Sequence, residues 1–156
     1  MAQYHKLGSL PPKRHTQFRK PNQELYAEEL VSTHGFSNVY SLIYHCYPPT
    51  MVKSIGESFS VAPEIAFEKS LKHQSFEGFN VIPTSDYLRS RVPVLVNSDV
   101  HITLASPQAS MKDYFFKNAD ADEVIFIHEG SGTIKTIYGQ LEFKYGDYIV
   151  VPRGTV

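Results

Sequence analysis

The stretch EVIFIHEGSGTIKTIYGQLEFKYGDYIVVPRG, residues 123–154, decides the fold. Its first six residues, Glu123 to His128, form a nearly continuous apolar run, which predicts a strand buried on both faces. Glycine tolerates positive φ angles, so the glycines that follow predict turns between further strands at residues 133–138, 141–145 and 148–151. Four short strands separated by such turns predict a meander or a jelly-roll barrel.

The composition agrees with a mostly-β domain. The 156 residues include ten tyrosines, ten phenylalanines and ten prolines. Aromatic residues suit half-buried strands, and prolines interrupt the connections between strands. The length fits one domain. The formal net charge of −1 gives the chain no overall attraction to nucleic acid or to an anionic membrane.

Nothing in the sequence predicts export or membrane insertion. Residues 1–10 lack the apolar run of a signal peptide, and no segment approaches the roughly 18 apolar residues of a membrane span. The single cysteine, Cys46, cannot form an internal disulfide. We expect it to be a small buried hydrophobe, because its neighbour His45 points to the opposite face of the same strand. We therefore expect a cytoplasmic protein without a membrane partner.

Residues 1–24 predict an extended basic arm. The adjacent Pro11 and Pro12 exclude a helix. The basic residues of the arm are Lys6, Lys13, Arg14, His15, Arg19 and Lys20. Such a cluster is compatible with a solvated arm, with a subunit contact or with nucleic-acid binding. Nucleic-acid binding is the weakest of these, because the chain is not basic overall and has no heptads, fingers or RNP-like aromatic residues.

The patterns between the arm and the last third are less regular. Residues 25–30 predict a short helical turn that ends by Gly35, with Glu28 and Glu29 on a solvated face. Strands are expected at residues 41–47, 94–96 and 100–105, whereas residues 52–90 give no assignment.

The spacing of the last third matches that of a cupin. Glu123 precedes Gly130 by seven positions, as in the Glu-x6-Gly end of the first cupin motif. Gly146, Pro152 and Gly154 match the Gly-x5-Pro-x-Gly of the second motif. In the cupin pattern the first motif also carries two histidines, and the second ends in a third. We therefore predict a cupin-like β domain over residues 25–156.

The metal-binding positions of that pattern are not filled. The two histidine places of the first motif fall on Phe116 and Asn118, or on Lys117 and Ala119, and the histidine of the second motif would be residue 157. A site of two histidines and one carboxylate needs three convergent ligands, and only Glu123 remains. We therefore predict no catalytic, cofactor-binding or metal-binding residue in this chain.

The seven histidines do not form a ligand cluster either, because none are spaced to share a strand or helix face. His101 and His128 lie in predicted strands, where we expect satisfied core or barrel-wall histidines. The roles of Glu123, His101 and His128 stay open at this point.

The whole chain resembles the bacterial branch of the homogentisate 1,2-dioxygenase family. The runs that carry the resemblance are YHKLG at 4–8, PKRHTQFRK at 12–20, PTMVK at 49–53, VLVN at 94–97, DVHI at 99–102, KNADADE at 117–123, KYGDY at 144–148 and PRG at 152–154. The resemblance implies a non-haem Fe(II) enzyme that opens the ring of homogentisate with O2, giving maleylacetoacetate in phenylalanine and tyrosine breakdown. It also implies a trimer or hexamer, in which the basic arm makes a subunit contact.

In that family two histidines and a glutamate in the carboxy-terminal half hold the iron, and no position of this chain matches them. The sequence stops at Val156, inside the second cupin motif, so we expect a fragment or a broken reading frame. Such a chain is expected to be inert by itself and to aggregate through unpaired strand edges and an exposed apolar face. The alternative is a metal-free cupin module that binds a small molecule.

Overall fold

A computed structural model describes residues 17–35, 37–49, 52–66 and 72–156. Within them the chain forms eight strands and a 3-10 turn at Gly78–Asn80. The strands are β1 (Ala27–His34), β2 (Ser37–His45), β3 (Arg91–Val96), β4 (His101–Ala105), β5 (Glu123–Phe126), β6 (Ser131–Thr136), β7 (Gly139–Lys144) and β8 (Tyr148–Val151). The prediction of a mostly-β fold is confirmed. In the part of the chain that is described, no helix is long and apolar enough to cross a membrane.

The chain divides into two compact units. The first combines Met1–Ile55, as far as it is described, with Lys117–Val156, and the second is Gly56–Phe116. Most of the predicted basic arm, residues 1–16, lies outside the described residues. The described part of the arm, residues 17–24, forms a tight turn, in which the backbone N–H of Lys20 donates to the Glu24 carbonyl at 2.8 Å.

In the first unit, β1 and β2 form an antiparallel hairpin. Their register places Glu29 opposite Ile43 and Leu30 opposite Leu42. The helical turn predicted for residues 25–30 is wrong, because pairing with a distant strand outweighs the weak local preference of these residues. The strand predicted at 41–47 corresponds to β2.

The last third of the chain contains two nested strand pairs. β5 pairs with β8, and β6 pairs with β7. The strands lie within two residues of their predicted places. A simple meander is excluded, however, because a meander pairs each strand with the next one along the chain.

In the second unit, β3 and β4 pair antiparallel, with Val92 opposite Leu104. The strands predicted at residues 94–96 and 100–105 correspond to this pair. The turn between them is held by the Asn97 side chain, whose Oδ1 accepts the backbone N–H groups of Asp99 at 2.8 Å and Val100 at 2.7 Å.

Burial in both units is low. Among the described residues, no hydrophobic side chain is buried. On β5, Val124 is 68% exposed and Phe126 is 45% exposed, so the expectation that this strand is buried on both faces is wrong. A strand is buried on both faces only when a layer of structure covers each face, and here one face is open. The exposed apolar face expected from the sequence is present on β5 and β8.

Candidate functional site

The residues that match the spacing of the cupin motifs lie at or near the ends of β5 and β8. Glu123 begins β5 and stands directly opposite Val151, the last residue of β8. Gly130, Gly146 and Gly154 have φ angles of 84°, 89° and 81°. Residues with a side chain rarely adopt this backbone conformation, whereas glycine adopts it without steric cost. The turns predicted from these glycines are therefore confirmed.

Asn118 occupies a histidine place of the first motif in one of its two spacings, whereas the shorter spacing places the histidines at Lys117 and Ala119. Its Nδ2 donates to Oε1 of Glu123 at 3.0 Å. Its Oδ1 accepts the backbone N–H groups of Asp120 and Ala121, each at 3.1 Å. One side-chain amide therefore shapes the loop before β5 and also holds the carboxylate that begins the strand.

The same loop is fastened to the residues that follow β8. The backbone N–H of Gly154 donates to the Asn118 carbonyl at 2.7 Å. The backbone N–H of Arg153 donates to Oδ1 of Asp122 at 2.8 Å. We call this set of residues the motif clasp: Asn118, Asp122, Glu123, Arg153 and Gly154. Its hydrogen bonds join the segment before β5 to the segment after β8.

An ion pair adds little to the motif clasp. The Arg153 Nε lies 3.8 Å from the Asp122 Oδ1, and the two side chains are 67% and 56% exposed. Exposed pairs of this kind typically contribute about 0–1 kcal/mol. The clasp therefore depends on the backbone N–H of Arg153 rather than on its guanidinium.

The donor set of the motif clasp does not fit Fe(II). A facial Fe(II) site uses two histidines and a carboxylate, whereas the clasp offers Glu123 and a neutral amide that is already engaged. Over the described ranges, no group of three His, Cys, Asp or Glu side chains could hold a metal ion. His5 and His15 lie outside those ranges, so the absence of an iron ligand from this chain stays a prediction.

The other residues singled out from the sequence are not part of the motif clasp. Phe116 belongs to the second unit, where its ring centre lies 5.8 Å from the Arg91 guanidinium carbon. His101 begins β4 and His128 follows β5, and both are exposed. Their exposure excludes the core position expected for them, whereas a place on a barrel wall stays a prediction. The His128 ring lies edge-on to the Tyr145 ring, with 6.3 Å between centres.

The sequence analysis missed a histidine–glutamate pair on the β1–β2 hairpin. The His45 Nε2 lies 2.8 Å from the Glu29 Oε2, and the side chains are 11% and 26% exposed. The pair depends on the hairpin register, in which Ala27 stands opposite His45 and places Glu29 diagonally across. A strand assignment for β1 would have revealed it. Cys46, next to His45, is exposed rather than buried.

A second polar cluster lies in Gly56–Phe116. Burial raises the pKa of the Tyr114 hydroxyl, and the nearby Asp86 carboxylate raises it further. Burial alone would raise the pKa of Asp86, but Tyr114, the backbone N–H of Arg89 and the Arg89 charge together lower it. The Arg89 N–H donates to Asp86 at 3.1 Å.

Tyr114 and Asp86 lie close enough for each to shift the pKa of the other. The Tyr114 hydroxyl oxygen is buried and has no partner at full hydrogen-bond geometry within the described ranges. The cluster therefore stabilises the turn at residues 86–90, and we assign it no chemical role.

Comparison with known proteins places the chain in a family. The model of the homogentisate 1,2-dioxygenase N-terminal region matches residues 3–156. The chain is 35% identical over 155 residues to "Putative dioxygenase SSO1533" of Saccharolobus solfataricus. That match covers 99% of this chain and 40% of the relative, so the chain spans less than half of the relative's length. No solved structure matches the chain. The chain therefore belongs to the homogentisate 1,2-dioxygenase N-terminal family.

Proposed function

We propose that this chain forms the amino-terminal part of a cytoplasmic, non-haem Fe(II) dioxygenase that opens the ring of homogentisate. The family match over residues 3–156 is the observation that carries the proposal. The name of the Saccharolobus relative, which describes a dioxygenase, supports this class of enzyme. In the proposed reaction one ring C–C bond breaks, and both atoms of O2 enter the product, maleylacetoacetate. The reaction belongs to phenylalanine and tyrosine breakdown.

The role proposed for this chain is that of a scaffold. The motif clasp is proposed to hold the turns of the cupin motifs in place through its hydrogen bonds. Its donor set, one carboxylate and one engaged amide, does not suit iron. Iron would then be held by residues that this chain does not supply. The working enzyme is proposed to be a homo-oligomer, a trimer or a hexamer, with the basic arm at a subunit contact.

The proposal is tested by O2 uptake. A protein that joins this chain to the polypeptide that follows the matched region in the Saccharolobus relative is supplied with Fe(II) and homogentisate. We expect one O2 consumed per homogentisate, with maleylacetoacetate detected by its absorbance. 2,5-Dihydroxybenzoate, which lacks the side-chain methylene of homogentisate, is the substrate control. Absence of uptake with homogentisate in a folded, iron-loaded protein would rule the activity out.

A metal-free binding module is the second candidate, favoured by the Asn118–Glu123 hydrogen bond at the metal positions. It predicts that the 156-residue chain binds a small aromatic acid by itself. Isothermal titration of the chain with homogentisate, without metal, separates the two candidates. Saturable binding supports the module, whereas the scaffold role predicts none.

A further inference from the structure

An apolar groove runs beside β8 in the first unit. It has a volume of about 250 Å³ and is lined chiefly by Ile134, Leu141, Phe143, Tyr148, Ile149 and Val150. Ile134 belongs to β6, Leu141 and Phe143 belong to β7, and no residue of β5 lines the groove. The groove therefore lies between β8 and the β6–β7 pair, on the side of β8 away from β5. Tyr148 is 70% exposed and Val150 is 64% exposed. Apolar area left in water forgoes about 25 cal/mol per Å², so this surface is suited to being covered.

On that same side, the backbone of β8 has hydrogen-bonding groups without a backbone partner among the described residues. The Ile127 N–H donates to the Asp147 carbonyl at 2.9 Å, and the Gly146 N–H donates to the Ile127 carbonyl at 2.8 Å. Bonded and non-bonded pairs alternate along an antiparallel ladder. The two pairs that do not exchange bonds are therefore Phe126–Tyr148 and Val124–Val150. Contact between the rings of Phe126 and Tyr148, with centres 4.8 Å apart, agrees with the closer spacing of such pairs.

It follows that the N–H and C=O groups of Tyr148 and Val150 point away from β5, toward the groove. Two donors and two acceptors then stand along one strand edge, with apolar side chains on either side. An exposed edge of this kind is a template for an added strand, in which main-chain bonds give affinity and alternate side chains enter pockets.

We propose that an extended polypeptide segment binds along β8 as an additional strand, and that this segment comes from the polypeptide that follows the matched region in the longer relative. The chain covers 40% of that relative, so ample polypeptide remains there to supply a strand. The acidic side chains of Glu142 and Asp147 lie along the groove. They favour a segment with apolar residues at alternate positions and a Lys or Arg beside them. The proposal is independent of the iron chemistry.

Hydrogen exchange tests it. The full 156-residue chain is compared with the same chain joined to the remainder of the Saccharolobus relative. In the joined protein, the Tyr148 and Val150 amides are expected to exchange at least about 100-fold more slowly than in the chain alone, because they become bonded. Equal rates in the two proteins would overturn the proposal. Protection in the chain alone that rises with its concentration, together with a dimer in sedimentation, would make a second copy the occupant and would also overturn it.

A matched pair of variants separates the two edges of the β5–β8 ladder. Val150→Pro removes a donor that faces the groove, and Val124→Pro removes the donor of the residue directly opposite, on the far edge. We expect Val150→Pro to abolish the protection of Tyr148 in the joined protein and Val124→Pro to retain it. The reverse result would overturn the proposal.

If the joined protein does not melt cooperatively, overlapping 15-residue peptides from the remainder of the relative are titrated into the 156-residue chain. At least one peptide is expected to bind the wild type and Val124→Pro but not Val150→Pro. A series in which no peptide binds the wild type would count against the added strand. Peptide binding tests the strand without any catalytic readout, so its failure is distinguishable from a failure of the dioxygenase assignment.

Discussion

The side-chain amide of Asn118 donates a 3.0 Å hydrogen bond to the carboxylate of Glu123. In one of the two spacings of the cupin pattern, these positions would carry a histidine and a glutamate. One partner of the Glu123 carboxylate is thus a neutral amide donor. The loop between the two residues keeps its shape because the other end of the amide accepts two backbone N–H groups. The loop before β5 is therefore held by hydrogen bonds of Asn118.

Replacing Asn118 is expected to loosen this loop. Asn118→Ala removes the acceptor for the Asp120 and Ala121 N–H groups, and the loss of about 1.4 kcal/mol corresponds to roughly tenfold faster exchange of those amides. Asn97→Ala is the matched control, because Asn97 caps the Asp99 and Val100 N–H groups in the same way. It should accelerate exchange there and leave residues 120 and 121 unchanged. Exchange at residue 120 that does not respond to Asn118→Ala would contradict the role given to the amide.

The two members of the Asp122–Arg153 contact are expected to respond differently. Asp122→Ala removes the acceptor of the Arg153 backbone N–H, at 2.8 Å, so exchange of that amide should rise by roughly tenfold. Arg153→Ala keeps that bond and loses only an exposed ion pair. The free energy of opening this hydrogen bond should therefore change by less than about 0.5 kcal/mol, and the change should vanish in high salt. Equal effects of the two substitutions would show that the guanidinium, not the backbone, holds the clasp.

Gly146 is expected to be sensitive to any side chain. Its φ of 89° lies where a Cβ is strained, so Gly146→Ala should destabilise the turn between β7 and β8 by about 1–2 kcal/mol. Limited proteolysis should then cut between residues 144 and 148 several times faster than in the wild type. Gly56 has an ordinary φ and open space around its Cα, so Gly56→Ala is the control and should not change this cleavage.

Two tyrosine hydroxyls, those of Tyr44 and Tyr114, are expected to ionise at a higher pH than an ordinary tyrosine. Burial raises the pKa of Tyr44, and a hydrogen bond to Glu28 raises it further. Burial also raises the pKa of Tyr114, and the nearby Asp86 raises it further. Absorbance at 295 nm should therefore show a high-pH phase above the ordinary tyrosine value of about 10. Tyr44→Phe and Tyr114→Phe should each remove part of that phase, whereas Tyr47→Phe, an exposed position, should leave both late groups in place.

The same groups give the pH dependence of local stability its sign. The pKa of Asp86 is lowered in the folded chain, so its stabilising effect is full above about pH 4, the unfolded value, and is lost as pH falls through the folded pKa. Tyr114 has a raised pKa, so its contribution is full below about pH 10 and is lost as pH rises through the folded pKa. Hydrogen exchange of residues 86–90 should be slowest between these limits. Constant exchange across both limits, after correction for intrinsic rates, would contradict this.

The turns of the last third could be predicted because their signal is local. The backbone has a positive φ at Gly130, Gly146 and Gly154, and glycine is the residue that indicates such a conformation in a sequence. The strands between them followed within two residues. The mostly-β fold was predictable for the same reason.

Features that depend on distant pairing could not be predicted. β1 was mistaken for a helical turn because its strand character comes from β2, through pairs such as Leu30 with Leu42. The Glu29–His45 contact needs that same register. β5 pairs with β8, and β6 pairs with β7. The alternation of side chains within one strand does not indicate which other strand it pairs with. The apolar run around Val124 does not indicate whether another layer covers it, and the side chain is exposed.

Fe(II) binding by the 156-residue chain tests the central claim most directly. Anaerobic equilibrium dialysis measures how much Fe(II) the wild type and Glu123→Gln retain. If this chain is a scaffold whose Glu123 is held by Asn118, neither protein retains stoichiometric iron and the two are indistinguishable. Stoichiometric Fe(II) in the wild type that is lost in Glu123→Gln would contradict the scaffold role.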